Sequence, residues 1–184
     1  VITNRNLDLK ISTKDAFIIT ALSWILFTLL CSVPFIYSEV NLSVVDALFE
    51  SMSGVTTTGA TILNNLDQAP KGILIWRAIL QWLGGIGIIV IALVILPFLR
   101  IGGMQLFHLE GDDPYDKFLP KISSVVSKIF IVYLILTIIL FFLYYLNGMS
   151  LFDSIAHSFT TISTGGFSTH NNSFAYFNNI TILN

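Results

Sequence analysis

The chain has 184 residues, with 54% apolar and 11% charged residues and a formal net charge of -2. Soluble domains carry about 25% charged residues, so this composition, with its mean hydropathy of +0.81, points to lipid as the solvent. The acidic balance gives no reason to expect a nucleic-acid partner. The single cysteine, Cys31, excludes a disulfide framework and a zinc-ligand pattern.

The polar opening, from Val1 to about residue 15, has no charged start, short apolar core and small-residue cleavage site in series. Insertion is therefore expected to rest on the apolar spans. Crossing a bilayer takes about 20 apolar residues. The first span is Ala16 to Tyr37, and Cys31 within it reads as a small hydrophobe facing lipid or a neighbouring helix. The second is Ile79 to Leu99. The third is Val125 to Leu146, where Lys128 can carry its amine to the interface. Trp24, Trp76, Trp82, Tyr37, Tyr144 and Tyr145 lie mostly near span ends, as in aromatic belts. Arg5, Lys10 and Lys14 precede the first span, and Arg100, Lys117 and Lys121 fall between the second and third, with Lys128 at the start of the third counted with them. Only Lys71 and Arg77 fall between the first two. The positive-inside rule then places residues 1–15 and the 100–124 loop in the cytoplasm.

The two outward segments are not ordinary loops. Residues 42–62 (LSVVDALFESMSGVTTTGATI) and 149–167 (MSLFDSIAHSFTTISTGGF) are moderately apolar, begin at a helix cap and end in Thr, Ser and Gly. Each is too short to cross and return as two helices. Such a segment fits a re-entrant loop, in which a short pore helix dips in and extended chain climbs back. Irregular backbone is tolerated at that depth only when buried in protein or lining a watery cavity.

The two segments repeat one another. Ser43 and Ser150 each begin Ser-x-x-Asp, which makes them expected N-caps, with Asp46 and Asp153 in the first helical turn. Ser51 matches Ser158. After a one-residue gap, Thr57-Thr58-Gly59-Ala60 matches Ser163-Thr164-Gly165-Gly166. The unit is span, pore helix, glycine-containing filter strand, return span. The first copy is residues 16–99; the second, residues 125–184, lacks a return span. Carbonyl oxygens of short extended strands can replace the hydration shell of an alkali cation. Glycine suits such a strand because it tolerates dihedrals that a β-carbon opposes.

DALFESMSGVTTTGATIL, WRAILQWLGGIGIIV, ILPFLRIGGMQLFHLE and SLFDSIAHSFTTISTGGFSTHNNSF occur in this order. Together they resemble the TrkH-type subunits of the Trk/Ktr/HKT superfamily of potassium transporters, over nearly the whole chain. The resemblance implies an all-α membrane protein built from potassium-channel-like repeats, four of them in one subunit around a pseudo-fourfold pore. This chain looks like the first repeat and most of the second. The implied filter residues are Thr57, Thr58, Gly59, Ala60, Ser163, Thr164, Gly165 and Gly166. The implied activity is potassium uptake across the inner (cytoplasmic) membrane, with potassium as substrate, no cofactor and no transition metal. The implied partners are two further repeats of the same polypeptide, a second subunit in a homodimer, and a cytoplasmic nucleotide-binding regulatory ring. Sodium or mixed transport, symport or gated channel, and a non-conducting scaffold are the alternatives.

Other motifs carry plainer readings. Gly84-Gly85-Ile86-Gly87 lies within a span and suits close helix packing rather than a nucleotide site. Gly102-Gly103 reads as a helix stop. His157 occupies the place that Glu50 has in the first repeat and is expected to make a polar contact within the pore wall. His170 either lines the outer mouth or is exposed. Glu50 and Asp46 could draw cations toward the entrance. Glu110, Asp112, Asp113 and Asp116 form a solvated acidic patch. Sequons occur at Asn41, Asn171 and Asn179, but such short patterns are common by chance and would carry no weight in a bacterial protein. No acidic or histidine pair stands within a span, so an intramembrane enzyme is not expected.

Overall fold

The computed structural model describes residues 13–95 and 114–177. Gly102, Gly103, Glu110, Asp112, Asp113, Asn179 and the residues before 13 lie outside that part of the chain. The described elements are helices α1 (Thr13–Tyr37), α2 (Val44–Val55), α3 (Lys71–Ile95), α4 (Pro114–Leu146) and α5 (Leu151–Ile162), with short 3-10 turns at Leu66–Gln68 and Ser173–Tyr176. Among the described residues there is no β-strand, so the two segments expected as filter strands are irregular loops without sheet partners.

Three helices are long and apolar enough to cross a membrane, over Phe17–Tyr37, Lys71–Ala92 and Ser124–Leu146. They differ in burial: 44% of the α3 window is buried, against 17% for α1 and 11% for α4. The difference makes α3 the interior helix. It packs on α1, α2, α4 and α5, while α1 and α4 turn Leu22, Leu26, Leu30, Ile131, Ile135 and Ile138 outward.

The second span departs from the sequence reading. It was expected to begin at Ile79, but α3 starts at Lys71, directly after Pro70, whose carbonyl accepts from the amides of Ile73 and Leu74. Proline's fixed φ suits a helix start. Trp76 and Arg77 are therefore helical residues, not loop residues. Trp76 donates its indole N–H to the Cys31 carbonyl at 3.1 Å, and Arg77 is buried. Helix α4 likewise reaches back to Pro114, into what reads in the sequence as the 100–124 loop. Cys31 sits in a core with Phe35, Ala47, Val55, Ile73 and Leu80, against neighbouring helices rather than lipid.

The glycine pair in α3 decides how near the short helices can come. A β-carbon on Gly84 would collide with the Val55 carbonyl at the end of α2. One on Gly85 would stand 2.9 Å from the Ser163 Cβ at the end of α5 and 2.8 Å from the Tyr133 hydroxyl. Adjacent glycines thus admit one pore-helix C-terminus each. Gly87 has open space around it. Gly84→Ala is expected to lose about 1–3 kcal/mol through overpacking. Gly87→Ala should be neutral or slightly stabilising, since alanine outranks glycine in helices by about 1 kcal/mol. Thermal unfolding of the two variants in detergent would separate them, and equal midpoints would contradict the packing.

Candidate pore loops

Both short helices are capped as their sequences demand. The Ser43 hydroxyl accepts from the Asp46 amide at 3.2 Å and donates to the Asp46 carboxylate at 2.7 Å. Ser150 and Asp153 repeat this at 3.1 and 2.6 Å. The cap satisfies one orphan amide, and the carboxylate faces the positive end of the helix dipole. Burial works to raise the Asp153 carboxyl, but hydrogen bonds from Ser150 and Thr169, with His170 and His157 nearby, hold it below its ordinary value.

At their C-termini both helices end in the same uncommon way. Thr56 and Ser163 are the C-caps, and the next residues, Thr57 and Thr164, are left-handed at φ 56° and 55°. The amide of Thr57 donates to Gly54 and that of Thr58 to Ser53; Thr164 and Gly165 donate to Thr161 and Thr160. This is the Schellman pattern, with threonine where glycine is usual. Left-handed backbone costs a residue with a β-carbon roughly 1–2 kcal/mol, so the surroundings must hold it in place. Two residues later the chain is left-handed again, at Gly59 (φ 79°) and Gly166 (φ 80°).

These dihedrals correct the internal alignment. No gap interrupts the repeat. Ser43 pairs with Ser150, Glu50 with His157, Thr57 with Thr164, Thr58 with Gly165 and Gly59 with Gly166. The Thr-Gly dipeptides are one position out of register with the backbone they occupy, which is why residue identity alone misplaces the match. Thr56 and Phe167 thereby join the aligned loop as the partners of Ser163 and Ala60.

The chain leaving each loop is braced by the short helix that precedes it. Glu50 accepts from the Thr61 hydroxyl at 2.9 Å and the Ile62 amide at 3.1 Å. His157, in the same place, contacts the Ser168 hydroxyl at 3.0 Å and the Asp153 carbonyl at 2.9 Å. Burial pushes the His157 imidazole below its ordinary value, against the hydrogen bond to Asp153, which raises it. Both side chains are fully buried. Glu50 therefore does not face an entrance as a free charge; it is paired with Arg77 at 2.7 Å.

Arg77 and Gln81, one turn apart on α3, were not singled out as site residues from sequence. Arg77 donates to the Ser168 carbonyl at 3.1 Å and lies over the Phe167 ring at 4.0 Å, so it ties the first pore helix to the second loop. Gln81 donates to the Gly165 carbonyl at 2.8 Å and accepts from the Phe167 amide at 3.1 Å. The only signal for them was a charge and an amide continuing the helical face that carries Gly84 and Gly85.

Beyond the two loops the repeats dock directly. Asp67 accepts from His170 Nδ1 at 2.7 Å and from the Asn171 amide group at 2.8 Å, and Asn171 accepts from the Leu66 amide at 2.9 Å. His170 also lies 3.4 Å from Asp153 and stacks on Tyr176 at 3.6 Å. It is neither exposed nor alone. A cavity of about 150 Å³ opens between the loops, lined by Gly59, Thr61, Arg77, Gly166, Ser168 and His170. Gly59 is close enough to the second loop that a β-carbon on it would collide with the Gly165 carbonyl.

Residues 2–184 match the model of the TrkH family, described as a cation transport protein. The chain belongs to the TrkH family. It is 43% identical over 180 residues to the Trk system potassium uptake protein TrkG of Escherichia coli K12, covering 96% of this chain and 37% of that one. It is 44% identical over 182 residues to TrkH of the same strain, covering 97% and 38%. The crystal structure of the potassium transporter TrkH from Vibrio parahaemolyticus superposes with a TM-score of 0.82 at 43% identity, over 97% of this chain and 36% of that chain. The chain thus spans less than two-fifths of these relatives. The all-helical membrane fold expected from the sequence agrees with the TrkH structure.

The buried pair gives a test. Arg77→Met strands the Glu50 carboxylate, and breaking a buried pair costs about 3–5 kcal/mol. The double variant Glu50→Gln with Arg77→Met removes both charges and should recover a measurable part of that loss. A double-mutant cycle on unfolding midpoints checks it; strictly additive losses would deny the coupling.

Proposed function

We propose that this chain forms the first two pore repeats of a potassium-uptake transporter of the inner membrane. Thr57 to Ala60 and Ser163 to Gly166 line one half of its selectivity filter, and the gap-free alignment adds Thr56 to the first loop. The observation that carries this reading is the duplicated backbone. Two loops from distant parts of the chain hold the same pair of left-handed residues and meet across one cavity at Gly59 and Gly166. Relatives named as potassium uptake proteins, and a potassium transporter TrkH structure with the same overall fold, support potassium as the ion. Dehydrated cations need several backbone oxygens at fixed spacing, and the negative ends of α2 and α5 point into the loops that would hold them.

The pore requires further repeats, which the same polypeptide supplies in this reading. A second subunit and a cytoplasmic nucleotide-binding regulator complete the assembly. The protein acts as a transporter and not as an enzyme. The N-terminus and the 100–124 region lie in the cytoplasm, and residues beyond 147 face outward. Arg77 no longer counts toward the charge balance, because it is a buried residue of α3 paired with Glu50 of α2; its removal strengthens the asymmetry.

Gly59→Ser and Gly166→Ser each force a β-carbon into left-handed backbone at roughly 1–2 kcal/mol. In the intact polypeptide, at equal membrane abundance, rubidium uptake should fall and preference for rubidium over sodium should drop by about tenfold. Unchanged selectivity in both would sink the filter assignment.

Orientation is tested separately, with single cysteines at Lys117 and Asn172 in a Cys31→Ser background. An impermeant thiol reagent applied to whole cells should label position 172 alone. Labelling at 117 would reverse the topology.

A further inference from the structure

The two loops share a backbone but are held differently. The first is braced from within. The Ser53 hydroxyl donates to the Ala60 carbonyl at 2.6 Å, and the hydroxyls of Thr56 and Thr58 share a bond of 2.8 Å across left-handed Thr57. The second loop lacks these bonds. Glycine stands at 165 in place of Thr58. Thr160, in the place of Ser53, turns its hydroxyl back to the His157 carbonyl at 3.3 Å.

Gln81 supplies the missing brace from the other repeat. Its Nε2 donates to the Gly165 carbonyl and its Oε1 accepts from the Phe167 amide, so the two bonds straddle Gly166. The side chain is fully buried and both ends of its amide are used. The absence of a side chain at 165 follows from this contact: a β-carbon there would collide with the Gln81 amide, while only Gly166 of the pair is left-handed.

From this geometry we infer that Gln81 is a positioning residue that sets the ion selectivity of the second pore loop. The inference rests on the filter reading above. Gln81 pins the two peptide planes that flank Gly166. In a trans peptide the carbonyl points opposite to the amide N–H of the following residue. Holding the Phe167 N–H toward α3 therefore aims the Gly166 carbonyl away from α3. A Gly-Gly pair is the most pliable dipeptide available, and a filter discriminates ions through the number and field of its carbonyl dipoles. Without the clamp, Gly165 and Gly166 are free to turn, and their oxygens can settle around a smaller ion.

The test uses Gln81→Met and Gln81→Leu in the intact polypeptide. Both keep much of the volume and lose the clamp. Gly72→Ala is the control, since its β-carbon meets open space. Rubidium uptake and its competition by sodium are measured in a potassium-uptake-deficient strain, normalised to membrane abundance. Loss of one buried hydrogen-bonded bridge should lower the rubidium-over-sodium preference by about tenfold, with KM for rubidium rising more than the maximal rate falls. If either variant fails to accumulate in the membrane, the other carries the measurement. A role confined to folding would reduce abundance and leave the preference of the surviving protein unchanged, and that result overturns the proposal. Gly59→Ser and Gly166→Ser, assayed alongside, separate the two readings. If they alter selectivity and the Gln81 variants do not, Gln81 loses its role and the filter stands. If none alters it, both readings fall.

Discussion

Everything near the pore loops depends on how closely α3 approaches them. Arg77, Gln81, Gly84 and Gly85 recur at helical spacing and so share one face of the helix. Along that face the contacts change from ionic to amide to bare backbone, and each meets a different depth of the two loops. The glycines set the distance; the two polar side chains use it. Larger residues at 84 and 85 would lift the loops off the helix, and neither Arg77 nor Gln81 would then reach its partners.

The arrangement answers a problem specific to membranes. Extended chain at membrane depth has no water and no sheet ladder to satisfy its backbone groups, and each unpaired group costs several kcal/mol. Here the partners are side chains. Glu50 takes the Ile62 amide, Ser53 takes the Ala60 carbonyl, Gln81 takes one group on each side of Gly166, and Arg77 takes the Ser168 carbonyl. The Glu50–Arg77 pair follows the same logic. Neither charge could remain in such a place alone, but together they join two loops. Left-handed Thr57 and Thr164 are held between a satisfied helix end and these braces, so their strain is offset by their surroundings rather than released.

Much of this was legible in the sequence, because it rests on local signals. Length and hydropathy mark the spans, and Ser-x-x-Asp marks both pore-helix starts. The likeness of residues 42–62 to 149–167 marks the duplication. What escaped depended on tertiary partners. Arg77 looked like the charged flank of a span because a charge normally ends one, and nothing local says that Glu50 waits beside it. Gln81 lies in an apolar run, and a neutral amide there carries no mark of what it binds. The register slipped by one residue because Thr-Gly was matched to Thr-Gly. The quantity that repeats is a pair of left-handed dihedrals, which threonine occupies once and glycine once in each loop.

Because α3 holds the second loop as well as closing the first repeat, the unit that was duplicated is not the unit that bears load. By sequence, α3 closes the first repeat. Mechanically it is shared, and the boundary between the copies runs along its surface rather than through the chain that follows it. Exchange of parts between related transporters would have to respect that stagger. A second loop moved into a foreign context carries its own short helix but leaves behind the residues that orient it, whereas one moved together with α3 arrives with its alignment intact.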